Sequence, residues 1–112
     1  YKVFFYFGLM KYHKLVRDKI PEIIKLNGQI PRINYASDNE FYELLRDKLK
    51  EEVKEFLEGD NPQELADILE IVYAISNYHK IPIKKLELMR QIKKKERGGF
   101  GKQIILEEVV KS

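Results

Sequence analysis

Apolar residues recur at helical spacing in four stretches of the chain, each bounded by a start or stop signal. The first begins near Val16, carries Pro21 in its early part and ends at Asn27-Gly28. Residues 29–36 alternate weakly and are expected to be extended. Ser37-Asp38-Asn39-Glu40 has the form of a capping box, opening a long helix to about Glu58 that Gly59 stops. Asn61 then serves as N-cap, with Pro62 in the first turn, for a third helix running to about Tyr78. Ile81-Pro82 restarts a fourth, which ends at Gly98-Gly99. Between Lys102 and Val110, the run Gln-Ile-Ile-Leu predicts a short strand. The sum is an all-α antiparallel bundle of about four helices with a short β element.

Two helices carry carboxylates on the wrong face. With Phe41 at 0° and about 100° per residue, Leu44, Leu45, Leu49, Val53, Phe56 and Leu57 define the apolar arc of the second helix. Glu52 and Glu55 fall inside it, at about 20° and 320°. On the third helix, Leu65, Ile68, Ile71, Val72 and Ile75 surround Glu64, and Asp67 lies between Ala74 and Tyr78. Glu70 and Asn77 share its small polar side. Glu52/Glu55 and Glu64/Asp67 are thus two i, i+3 pairs, each neighbouring on its own helix. The short turn from Gly59 to Pro62 makes the helices antiparallel, so the pairs can face each other.

Four carboxylates in a partly apolar setting must protonate, meet basic partners or bind cations. Oxygen-only ligands suit Mg²⁺, or Mn²⁺, rather than Zn²⁺. A plainer reading makes them surface acids paired with lysines such as Lys48; two matched pairs on two apolar faces favour the metal. On the fourth helix Arg90, Lys93 and Arg97 form a basic stripe, explicable either as a phosphate contact or as compensation of the helix dipole. Lys14-Leu15-Val16-Arg17-Asp18-Lys19 places bases at the predicted start of the first helix, where the dipole disfavours them. His13 and His79 have no ligand-spaced partner and are expected to be ordinary surface or core residues. Tyr35, Tyr42 and Tyr73 can each stack a base, and nothing in the sequence selects among them.

Composition narrows the field. The 112 residues suit one domain, and 44% hydrophobic residues make a thin core that association of copies would complete. The absence of cysteine excludes disulfides, thiolate metal sites and a cysteine nucleophile. A net charge of +3 argues against a general nucleic-acid binder. No run of about 18 apolar residues is present to span a membrane, and the expected location is the cytoplasm. Residues 1–9 lack a signal-peptide cleavage site. They read either as sequence upstream of a start at Met10 or as an edge strand, ahead of a single domain over 10–112.

Glu52-x-x-Glu55 followed by Glu64-x-x-Asp67 resembles the signature of the all-α nucleoside triphosphate pyrophosphohydrolase superfamily, which includes MazG-like proteins. Residues 14–21, the segment Glu64-Leu65-Ala66-Asp67-Ile68-Leu69-Glu70 and Arg97-Gly98-Gly99-Phe100 look like its small, phosphoribosyl-ATP pyrophosphohydrolase-like branch. The resemblance implies a homodimer or homotetramer that uses Mg²⁺ to cut a nucleotide into a monophosphate and pyrophosphate. It makes Glu52, Glu55, Glu64 and Asp67 metal ligands, with Glu52 activating water. It makes Lys93 and Arg97 phosphate contacts, helped by Lys14 and Arg17. Two departures stand out. Only eight residues separate Glu55 from Glu64, and Asp67 is followed by Ile68-Leu69-Glu70 without the histidine common in phosphoribosyl-ATP enzymes. Clearance of unwanted nucleotides is therefore expected ahead of a phosphoribosyl-ATP role. A non-catalytic nucleotide- or nucleic-acid-binding module using Lys93, Lys94, Lys95 and Arg97 is the remaining alternative.

Overall fold

In a computed structural model, residues 13–112 are described; the extension over 1–9 lies outside them. Their regular structure is four helices: α1 (Ile20–Leu26), α2 (Asp38–Gly59), α3 (Gln63–Tyr78) and α4 (Ile83–Arg97). No strand occurs among the described residues, and residues 103–112 run without regular structure. The predicted strand fails for a simple reason: a strand needs a neighbour for its N–H and C=O groups, and the described residues offer none.

α1 starts four residues later than its apolar spacing suggests. Pro21 lies in its first turn. Proline is favoured there, but it has no N–H to bond the carbonyl four residues back and its ring clashes with that carbonyl, so the helix does not extend far upstream. Residues 14–19 are consequently a non-helical segment, and the dipole argument about their charges does not apply to them.

The longer helices follow their caps. Ser37 Oγ accepts from Glu40 N–H at 3.3 Å and opens α2. Ser37→Ala is expected to cost ~1 kcal/mol, read as a lower urea midpoint at constant slope. α2 ends one residue past the expected stop, because Asp60 takes the left-handed conformation (φ 50°) that closes it. Aspartate tolerates that region better than most residues. Asn61 Oδ1 accepts from Gln63 N–H at 3.0 Å, so the tight turn itself caps α3. At the far end Ile81 N–H donates to Ser76 C=O at 2.9 Å, while Ser76 Oγ donates to Ile81 C=O at 2.8 Å. These bonds fasten the α3–α4 turn, with Lys80 left-handed (φ 59°).

α2 and α3 pack along their length as an antiparallel hairpin, whereas α4 meets α3 over a short stretch. The buried apolar side chains among the described residues are Ile20, Leu45 and Ile71, one each from α1, α2 and α3. Many large apolar side chains stay exposed, among them Leu57, Leu65 and Leu69 on the hairpin and Leu88 and Ile92 on α4. No described helix is long and apolar enough to cross a membrane.

Candidate metal centre

Hairpin geometry brings three of the four sequence-selected acids together. One carboxylate oxygen each from Glu52, Glu64 and Asp67 lies within 4.8 Å of the others. Glu55, half-buried one turn further along α2, is not part of that group. Glu52 is 3% exposed, in a site that an apolar residue would normally fill. Its Oε2 and the Oε2 of Glu64 are buried and have no hydrogen-bond partner. Each ionised pair at such separations repels by about 3 kcal/mol at an effective dielectric of about 20. Burial first, then the adjoining Glu64 carboxyl, push the Glu52 carboxyl above the usual carboxylate range, against the pull of Lys48.

Two cations meet the acids. Arg17 Nη2 donates to Asp67 Oδ1 at 2.8 Å, reaching across from the segment before α1. Lys48 Nζ stands 3.6 Å from Glu52 Oε1 and 3.7 Å from Glu51 Oε1. Lys14 Nζ binds Glu51 Oε1 at 3.1 Å, so this predicted phosphate contact sits beside the trio on a neighbouring acid. Burial acts to raise Glu51, yet Lys14 and Lys48 hold its carboxyl below the usual range. The plainer reading of Lys48 as a partner of Glu52 is thus correct as geometry. It leaves two buried oxygens unsatisfied, which is what an ion would cure. The oxygen-only donor set fits Mg²⁺ or Mn²⁺.

A cleft of about 640 Å³ opens beside the trio. Its acidic end holds Glu52, Asp67 and Glu70, with Arg17 and Lys48; further along lie Phe41, Tyr73, Ala74 and Asn77. Glu70 and Asn77, read in sequence as a solvated polar side, therefore face this space together with Asp67. The available signal was their position on the helical wheel, next to Asp67 and Ala74 rather than across from them. Lys93 and Arg97 do not line the cleft; both are exposed on α4. The tyrosines separate as well. Tyr42 is stacked on Tyr78 with ring centroids 4.6 Å apart, and His79 meets both edge-on. Tyr35 is exposed, which leaves Tyr73 facing the cleft.

The chain is similar to an uncharacterized protein of Mycolicibacterium smegmatis, 47% identical over 47 residues. That match covers 42% of this chain and 48% of the relative. No family model matches the chain, and no solved structure matches it.

Proposed function

We propose that the protein is a Mg²⁺-dependent nucleotide pyrophosphohydrolase, acting on a nucleoside triphosphate or related nucleotide. The observation that carries the reading is the carboxylate trio, with Glu52 buried, Glu64 and Asp67 half-buried and two buried oxygens unsatisfied, beside an open cleft that Glu52 and Asp67 line. Glu52, Glu64 and Asp67 would hold the ion. Glu55 joins as a fourth ligand by turning its side chain along α2. Mg²⁺ would supply charge neutralisation for a polyphosphate and a lowered pKa for bound water.

The chain's own groups have separate tasks in this reading. Arg17, fixed by Asp67, presents the rest of its guanidinium to phosphate oxygens. Glu52 accepts the proton from the attacking water. The α–β phosphoanhydride bond breaks, water supplies the new P–O bond, and monophosphate and pyrophosphate leave. Asp67 and Asn77 lie ten residues apart on α3, a rise of about 15 Å, which spans an extended nucleoside triphosphate. The base then falls at Phe41, Tyr73 and Asn77, where one ring can stack and one amide can read an edge.

Copies of the chain associate in this reading, since one copy leaves so much apolar surface uncovered. The test is pyrophosphate release from a panel of canonical and damaged nucleoside triphosphates, with and without Mg²⁺. Metal-dependent release is expected. Release from phosphoribosyl-ATP alone would move the substrate to that nucleotide, and binding without release would make the protein a nucleotide-binding module. Arg17→Ala is expected to raise KM for the best substrate about tenfold, the worth of one charge-assisted phosphate contact. Glu55→Gln should weaken Mg²⁺ binding comparably to Glu64→Gln; unchanged affinity would remove Glu55 from the ligand set.

A further inference from the structure

After α4 the chain turns at Phe100–Gln103, where Gln103 N–H donates to Phe100 C=O at 3.1 Å, and then runs as an uncovered tail. Ile104 and Ile105 are each 80% exposed, and Leu106, Val109 and Val110 are exposed to a similar degree. Five aliphatic side chains on one short segment are too apolar to remain in water by preference. The segment 103–110 carries Glu107 and Glu108 and no base. Among the described residues, two exposed apolar surfaces on the longer helices are candidates to receive it. One lies on the hairpin, around Leu57, Leu65 and Leu69. The other is the α4 stripe of Leu88, Met89 and Ile92, all exposed. Charge separates them. α3 carries Glu64, Asp67 and Glu70 and no base, so it repels an acidic tail. α4 carries seven bases against two acids; on the helical wheel Lys95 borders the stripe, and Lys85 and Glu96 fall within its arc.

We propose that the tail over 103–110 docks on the α4 stripe of a second copy of this chain, with Glu107 and Glu108 against the basic flank of that helix. At roughly 100 Å² per apolar side chain, reciprocal exchange of two five-residue tails onto two three-residue stripes buries about 1,600 Å², the size of a stable interface. The tail also gains there the surface that its strand-like sequence lacks in one copy. The inference rests on association of copies, but not on the carboxylate chemistry.

The chain has no cysteine, which makes a cross-linking test clean. One batch carries Leu88→Cys, and a second, distinguishable by a mass tag, carries Val109→Cys. On mixing and mild oxidation the expected main product is the mixed disulfide-linked pair. Absence of that pair would overturn the proposal. So would a chain carrying both substitutions that links within itself, since the tail would then cover its own α4. Charge reversal, Glu107→Lys with Glu108→Lys, changes exposed residues only and is checked for retained helicity. It is expected to weaken self-association at least tenfold in sedimentation at low salt, and an unchanged sedimentation profile would count against α4 as the receiving face. If the protein sediments as a monomer at all concentrations, association itself is wrong. Mg²⁺ binding at the carboxylates reads out independently of all these results.

Discussion

Glu52→Gln is expected to lower Mg²⁺-dependent turnover on the order of a thousandfold, because loss of a metal ligand and proton acceptor removes several kcal/mol of transition-state stabilisation. The same change is expected to raise the melting temperature of the metal-free protein by a few degrees. Glutamine keeps the shape of the side chain and removes one of three mutually repelling charges from a buried position. Lys48 keeps Glu51 as a partner at 3.7 Å, so the variant does not strand a buried cation. The opposite movement of activity and stability marks a functional carboxylate: a residue retained for folding would lose both together. Turnover and thermal unfolding of one preparation check the prediction. An active Glu52→Gln protein would end the proposed role.

The second large effect expected from the proposed function is stabilisation by Mg²⁺. At a concentration of Mg²⁺ a hundredfold above Kd, binding to the folded state adds ~2.7 kcal/mol. For a domain of this size that is a rise in Tm on the order of 10–20 °C. Glu64→Gln is expected to abolish most of it, since its unsatisfied Oε2 is one of the two oxygens in need of a cation. Thermal unfolding against Mg²⁺ concentration, with Ca²⁺ and Zn²⁺ alongside, gives the size of the shift and its selectivity.

The pH dependence has a defined sign. Glu52 holds its proton more tightly in the folded than in the unfolded chain. The metal-free protein therefore loses stability as pH rises through the folded Glu52 pKa. It regains that stability as pH falls into the ordinary carboxylate range. Glu51 acts in the other direction and in a lower window. Its carboxyl is held down by Lys14 and Lys48, so its contribution is lost as pH falls below the usual range. Protons compete with the ion, so stabilisation by Mg²⁺ shrinks as pH falls, and the curves with and without metal converge in acid. Curves that stay parallel would mean that the ion binds away from Glu52.

The helical class, the caps at Ser37 and Asn61 and the hairpin of α2 with α3 were legible in the residues alone. Each depends on local chemistry: a side-chain oxygen over free N–H groups, a turn too short to do anything but reverse the chain, apolar residues spaced at 3.6. The misplaced acids were legible for the same reason, since a carboxylate inside an apolar arc is a conflict that one helix shows by itself. Tertiary structure decided what periodicity does not encode. It set the rotation of α2 against α3, which brings Glu52, Glu64 and Asp67 together and leaves Glu55 a turn away. It carried Arg17 to Asp67 across a sequence separation of 50. It turned Glu70 and Asn77 toward a cleft, picked Tyr73 from three equivalent tyrosines, and left Lys93 and Arg97 outside. It also left 103–110 without a strand partner among the described residues. Sequence spacing fixes which face of its own helix a residue occupies; what that face meets depends on long-range packing.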